Sequence, residues 1–281
     1  MALVLDGKLV AEATYQKLLL EVSLLPVVPK IVLILVGEDP ASQTYVRSKS
    51  KKCRDLGLHG ETVLLPASTT EDELVRRMRE LSLERSVHGI LLQLPVPRSI
   101  DKYRVLDQLD PLKDVDGLHP ENMGRLMQGR PRFVACTPAG ILEIVRHYQI
   151  PIAGRKCVVI GRSEIVGKPI SQLLTNHDAT VTICHSKTRN LEAEASAADI
   201  LVVAMGKPRF VGPNFVKEGA TVIDVGIHRI DGKLIGDVDF EAVQSKAAAI
   251  TPVPGGVGPM TIAILMKNLV HAAVLQTSPT K

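Results

Sequence analysis

The chain is 281 residues long, enough to bury a large core and to form two domains. Hydrophobic residues make up 45% and charged residues 23%, a balance that excludes a disordered chain. The 34 basic and 30 acidic residues leave +4, spread along the chain, and with no Trp and only 3% aromatics there is little to stack bases on, so nucleic acid is not an expected partner.

Mild basicity suits an anionic small ligand. The cysteines, Cys53, Cys136, Cys157 and Cys184, form no close C-x-x-C pair and have no tight His cluster beside them. No metal site is expected, and free thiols in a reducing cytoplasm are the simpler reading. The N-terminus lacks a basic segment followed by a long apolar core, so no signal peptide is expected. No apolar run looks long enough to span a bilayer, and no membrane partner is expected.

Residues 8–25 read as an amphipathic helix, and 31–36 as a continuously apolar strand of the kind covered on both faces of a parallel sheet. Asp39-Pro40 then supplies an N-cap carboxylate and a first-turn proline, with Gly57 placed for a left-handed C-cap. On that helix Ser42, Tyr45 and Lys49 share one face. The pair Tyr45 and Lys49 suits proton chemistry, or an ordinary helix that keeps its Lys solvated; the spacing alone leaves both open. Residues 60–65 read as a strand, Thr70-Glu71-Asp72-Glu73 as a capping box opening a helix to about 84, and 89–94 as a third strand. The order β-α-β-α-β predicts a parallel sheet with right-handed crossovers. Residues 113–132, rich in Asp, Gly, Pro and Asn, read as irregular and functional. Thr137-Pro138 reads as the cap and first turn of a helix to about 147.

A second α/β series follows, with strands at 156–160, 180–184, 200–204, 221–225 and 247–250 and an apolar helix closing the chain to about 275. No internal repeat is present. The run from Gly161 to Gly167 lies at a strand-to-helix junction, where a phosphate binds on the amides of a helix N-terminus. It is not G-x-G-x-x-G, and a tight turn needing glycine for geometry alone fits the spacing too. The next strand ends Cys184-His185-Ser186-Lys187, without the acid that binds an NAD ribose. Arg162, Ser163 and Ser186 suit a 2′-phosphate instead, which favours NADP. In the first series Gln93, in an apolar run at a strand's carboxyl end, needs a partner: the Lys49 amine, a ligand, or the backbone. Lys113-Asp114-Val115-Asp116-Gly117 holds two carboxylates, either turn-formers or acceptors for a nitrogen-rich heterocycle.

With these residues side by side, the chain resembles the bifunctional methylenetetrahydrofolate dehydrogenase/methenyltetrahydrofolate cyclohydrolase family. The stretches that carry the resemblance are 42–52 with its Tyr-Val-x-x-Lys core, 89–97, 113–118, 161–169 and 251–261 with Pro-Gly-Gly-Val-Gly-Pro. It implies a two-domain α/β fold: an N-terminal parallel-sheet folate and catalytic domain, 1–136, completed by a C-terminal helix, 260–281, and a Rossmann-like NADP-binding domain, 137–259. It implies NADP-dependent oxidation of 5,10-methylenetetrahydrofolate, hydrolysis of the methenyl product to 10-formyltetrahydrofolate in the same folate pocket, a cytoplasmic homodimer, and a supply of one-carbon units to purine biosynthesis. By the family pattern Lys49 is the key cyclohydrolase residue with Gln93 bonded to it. Tyr45 stacks on the folate, and Asp116 holds the pterin. Ser42, Leu94, Pro95, Gly255 and Pro259 line the folate site. Gly161, Arg162, Ser163 and Ile165 match the dinucleotide loop, and Thr137 and Ile227 match positions near the nicotinamide. His228 stands where the family often has Asn, and His88 where it often has an acid.

Two other readings compete. A short-chain dehydrogenase also uses Tyr-x-x-x-Lys, but there the pair follows the glycine turn within one unit, whereas here it precedes it in another. A folate- or nucleotide-binding protein without activity predicts loss of Lys49, Gln93 or Asp116, and all three are present.

Overall fold

The computed structural model describes residues 2–277. The chain runs β1 (Leu3–Val4), α1 (Gly7–Ser23), β2 (Lys30–Val36), α2 (Pro40–Asp55), β3 (His59–Leu65), α3 (Glu71–Leu83), β4 (Gly89–Leu92), α4 (Lys102–Leu106), α5 (Pro120–Met127) and α6 (Cys136–His147). It continues through β5 (Lys156–Ile160), α7 (Gly167–Thr175), β6 (Thr180–Cys184), α8 (Leu191–Ala195), β7 (Ile200–Val203) and β8 (Thr221–Asp224). Last come β9 (His228–Ile230), β10 (Lys233–Ile235), α9 (Phe240–Val243), β11 (Ala249–Ile250) and α10 (Val257–Thr277). These elements form two compact units. One comprises Thr14–Val134 and residues 265–277; the other comprises Ala135–Ile264 and residues 2–13.

In the first of these units the described strands form a parallel sheet in the order β3-β2-β4. β2 is its centre, and Ile31 to Val36 are buried throughout because both faces are covered. Val32 and Ile34 pack with Leu74, Met78 and Leu81 of α3 and with Ile90 and Leu92 of β4. Helix α2 starts as its sequence demands: the Asp39 carboxylate accepts the Ser42 N–H at 2.7 Å, and Pro40 fills the first turn. Gly57, at φ +70, follows its end. Its buried residues, Ser42, Val46, Lys49, Ser50 and Cys53, repeat every three to four positions and form one face. Burial pushes the Cys53 thiol up to about 11, so it is an inert core group. The later half of α10 belongs to this unit: Asn268 Nδ2 donates to Val115 O at 2.9 Å and Gln276 Nε2 to His88 O at 2.8 Å.

In the other unit the described strands form a parallel sheet in the order β1-β11-β8-β7-β5-β6. Val158, Ile160, Leu201, Val203 and Val222 lie at its core. β9 and β10 form a separate antiparallel hairpin.

Four expectations need correction. Residues 2–13 do not group with the first domain; Leu3 and Val4 pair with Ala249 and Ile250 and extend the second unit's sheet, and residues 1 and 278–281 lie outside the described residues. The stretch 113–132 is not wholly irregular, because His119 caps α5 through its side chain, which accepts the Glu121 N–H at 3.1 Å. Thr137 is not a cap: α6 starts one residue earlier behind Ala135, which leaves the Thr137 hydroxyl free to pair with Thr261 Oγ1 at 2.9 Å. Finally, α10 is long and apolar enough to cross a bilayer by length and composition, but 56% of its most apolar window is buried inside the protein, as in a core helix.

The capping box at α3 is complete: Thr70 Oγ1 accepts the Glu73 N–H at 3.3 Å, and Glu73 Oε2 accepts the Thr70 N–H at 2.8 Å. Thr70→Ala is expected to lower stability by about 1 kcal/mol, read as a shift in the urea midpoint at unchanged slope. An unchanged midpoint would show that the cap is dispensable.

Candidate active site

Both sheets reverse direction about a central strand. From β2 the chain passes through α2 to β3 on one side, then through α3 to β4 on the other. Loops leaving the carboxyl ends of β2 and β4 therefore diverge, and ligands of open α/β sheets bind at such a crevice. Helix α2 follows β2, and Gln93 follows β4, with its own N–H donating to Ile34 O at 2.8 Å. There the side chains of Lys49 and Gln93 meet: Lys49 Nζ donates to Gln93 Oε1 at 2.9 Å, and Gln93 Nε2 donates to Leu94 O at 2.7 Å. Gln93 thus bonds both the amine and the backbone. Lys49 is only 7% exposed, so it is not a solvated surface lysine. Tyr45, one turn earlier, is 38% exposed, and its partial burial raises the phenol pKa, keeping it protonated at neutral pH. Ser42 is buried on the same face. Leu94 and Pro95 follow Gln93, joined by a cis peptide bond, and Leu94 packs partly on the core.

The two carboxylates of 113–117 divide their work. Asp114 is fully buried and accepts three bonds: from Leu118 N at 3.1 Å, His119 N at 2.8 Å and Asn122 Nδ2 at 2.8 Å. Burial raises its pKa against the opposing pull of those donors. Lys113 turns away and caps α3, donating to Leu81 O at 3.3 Å and Glu84 O at 2.7 Å. Asp114 sits beside Ile90 of β4, so Asp116 issues two residues on from that strand. Among the described residues Asp116 accepts no hydrogen bond and is only partly buried, which leaves its oxygens for a ligand.

In the second unit β5 is the reversal strand, flanked by β6 and β7. The turn after it fits a dinucleotide. Gly161 has φ +138, and a side chain there would strike Ala204 O; one on Gly167 would strike Gly161 O. The backbone is thus drawn tight before α7, as close approach of a pyrophosphate requires. Arg162, Ser163 and Ile165 are exposed on this turn, and Ser186 is exposed after the neighbouring β6, whose Cys184 pairs with Ile160. Arg162, Ser163 and Ser186 therefore leave adjacent strand ends. Ile227, exposed, follows β8, and its Cδ1 lies beside Gly258. Thr137 is partly buried, bonded to Thr261. Gly255 accepts the Gly7 and Lys8 N–H groups at 2.9 and 3.2 Å, and it and Pro259 lie in this unit, not in the unit of Lys49.

The sequence reading missed Asp224 and Asp237. Asp224, at the carboxyl end of β8, accepts Gly226 N at 2.9 Å, Asp237 N at 3.0 Å and Val238 N at 2.9 Å. A carboxylate ending so apolar a strand must find such donors, and that was the available signal.

Two parallel α/β units, one with a glycine turn at its reversal strand and one with a buried Lys–Gln pair at the same place, define a dinucleotide-dependent enzyme. The family model described as tetrahydrofolate dehydrogenase/cyclohydrolase, catalytic domain, matches residues 5–116, and that described as its NAD(P)-binding domain matches 135–277. The chain belongs to the tetrahydrofolate dehydrogenase/cyclohydrolase family and is a bifunctional enzyme with NAD(P) as its cofactor. It is 52% identical over 276 residues to the bifunctional protein FolD of Exiguobacterium sibiricum, covering 97% of this chain and 100% of that one. The structure of the bifunctional FolD methylenetetrahydrofolate dehydrogenase/cyclohydrolase from Campylobacter jejuni matches with a TM-score of 0.95 at 43% identity, covering 97% and 99% of the two chains. The Trypanosoma brucei methylenetetrahydrofolate dehydrogenase-cyclohydrolase, complexed with NADP cofactor and inhibitor, matches with a TM-score of 0.93 at 40% identity, covering 97% of each.

Burial raises the Asp224 pKa to about 6 from an ordinary 3.8. The native state therefore holds this proton more tightly than the unfolded chain, so stability falls as pH rises between about 4 and 6. Relative to Asp224→Asn, the wild type is expected to lose on the order of 3 kcal/mol between pH 4 and pH 7, measured by urea unfolding of both proteins across that range. Parallel pH profiles would contradict it.

Proposed function

We propose that this chain oxidises 5,10-methylenetetrahydrofolate with NADP+ and hydrolyses the 5,10-methenyl product to 10-formyltetrahydrofolate at a site built around Lys49. The observation that carries this reading is the bond from the buried Lys49 amine to the Gln93 amide oxygen, 2.9 Å, at the reversal point of the first sheet. Bound NADP+ supplies the two-electron oxidant for the methylene carbon.

The protein's part in oxidation is position. The tight backbone at Gly161 holds the pyrophosphate, and Arg162, Ser163 and Ser186 surround the 2′-phosphate. No acid follows β6 to bind a free ribose hydroxyl, which supports NADP over NAD. Ile165 lines the loop, and Thr137 and Ile227 lie near the nicotinamide. On the folate, Tyr45 serves as a protonated platform, Asp116 accepts N–H donors of the pterin, and Ser42, Leu94 and Pro95 line the substrate.

Hydrolysis adds water to the methenyl carbon. That carbon shares a positive charge, which makes it the electrophile that water attacks. Lys49 then takes a proton from the attacking water as the C–O bond forms and returns it to the ring nitrogen as the C–N bond breaks, while the remaining hydroxyl proton leaves to solvent and the formyl C=O forms, so that one proton is released overall. Gln93 fixes the amine throughout. The homodimer, the cytoplasmic setting and the link to purine biosynthesis rest on family resemblance, and the four buried free thiols support a reducing compartment. The burial within α10 supports a core helix over a membrane span, and the scarcity of aromatics argues against nucleic acid.

Lys49→Ala is expected to lower methenyl hydrolysis by about 10²–10⁴-fold while NADP+ binding stays nearly intact. The assay mixes the protein with methylenetetrahydrofolate and NADP+ or NAD+ and follows the reduced cofactor and the methenyl chromophore. Normal cyclohydrolase turnover in the variant would sink the role of Lys49, and faster turnover with NAD+ would sink the choice of NADP.

A further inference from the structure

Asp237, just after β10, is 0% exposed, so its carboxylate must be satisfied inside the protein. Oδ2 accepts the N–H groups of Met205 and Gly206 at 2.8 and 2.9 Å. Oδ1 lies 2.7 Å from His228 Nε2. Met205 and Gly206 continue β7 immediately after Ala204, the residue whose carbonyl presses on Gly161. They therefore form the wall facing the glycine turn across the reversal point. His228 itself follows Ile227 and opens β9. One imidazole thus ties together three chain segments at the carboxyl edge of the sheet: the exit of β7, the exit of β8 and the exit of the hairpin. The glycine turn fits a dinucleotide in contact with this wall, since side chains at Gly161 and Gly167 are sterically forbidden.

We infer that His228 is a positioning residue for the dinucleotide, acting through Asp237 on the Met205–Gly206 backbone and holding the adjoining Ile227 in place. Without the imidazole, Asp237 Oδ1 loses its side-chain donor, and a buried carboxylate short of one donor rotates or draws in water. Either change moves the two amides that Oδ2 anchors. With its proton on Nε2 the imidazole donates to Oδ1 in either charge state, so the role is that of a donor. Gly226 is packed so closely on Asp237 that a side chain there would strike its backbone nitrogen, which leaves the carboxylate no room to reach another partner on that side.

The test uses the full-length protein and two variants. His228→Met keeps the bulk and removes the donor; His228→Gln keeps an N–H donor at nearly the same reach. NADP+ is titrated calorimetrically into each protein without folate, and amide hydrogen exchange is followed at Met205 and Gly206. His228→Met is expected to bind NADP+ about tenfold more weakly, as loss of a hydrogen bond to a charged group predicts, with faster exchange at both amides and a cooperative thermal transition retained. His228→Gln is expected within about threefold of wild type on the same scale, with wild-type protection of the amides. Unchanged affinity in His228→Met, or a His228→Gln protein as weak as His228→Met, overturns the assignment. A His228→Met protein that fails to fold overturns it too, because the residue would then be structural rather than positioning.

Discussion

A parallel sheet sends the carboxyl ends of all its strands to one edge, and a reversal of chain direction about a central strand opens a crevice there. This constraint operates twice in one chain. β2 lies between β3 and β4, and β5 lies between β6 and β7. The groups with chemistry collect at those two places because the topology leaves few others. Lys49 comes from the helix after β2 and Gln93 from the end of β4, forty-four residues apart in sequence and 2.9 Å apart in space. Gly161 follows β5, and Ala204, following β7, lies against it.

A second constraint shapes both edges. Burial of a charge is costly unless fixed partners meet it. Asp114, Asp224 and Asp237 each accept three hydrogen bonds, mostly from backbone N–H groups. Their bonds hold loops that would otherwise be free at the ends of strands. The partly exposed Asp116, two residues from Asp114, is left with none of that work. Burial therefore separates Asp114, which holds its loop, from Asp116, which accepts no hydrogen bond among the described residues, although the sequence places both in the same five-residue stretch.

The parallel strands were legible because strands covered on both faces carry continuous apolar runs, here 31–36, 157–160, 200–203 and 222–223. The caps of α2 and α3 were legible because their chemistry is local. β1, the β9–β10 hairpin and α4 were not. They are two to five residues long, and such short elements owe their existence to tertiary pairing rather than to their own pattern. Leu3 and Val4 are half exposed and carry no periodicity; only Ala249 and Ile250 make them a strand. Site residues divide in the same way. Helical spacing puts Tyr45 and Lys49 on one face but leaves their role open, whereas the tie from His228 through Asp237 to Gly206 joins residues as much as thirty-one positions apart. Nothing in the local sequence marks it except an acid in need of donors.

The choice of a neutral partner for Lys49 bears on the proposed proton transfer. A carboxylate at position 93 would hold the amine equally well, but it would favour the ammonium through charge and oppose release of a proton. The Gln93 amide oxygen fixes the direction of Nζ with a dipole alone, and its own N–H is anchored on Leu94 O, so it cannot swing away. Lysine suits the other half of the pair for the same reason: a guanidinium would stay charged throughout, whereas an amine can alternate between its two forms. Depth along α2 completes the division. Lys49 is buried, and Tyr45, a turn earlier, is more exposed and stays protonated because partial burial raises its phenol pKa. Helical periodicity therefore places the two side chains on one face, and burial separates them: the amine is enclosed and the phenol is left partly exposed.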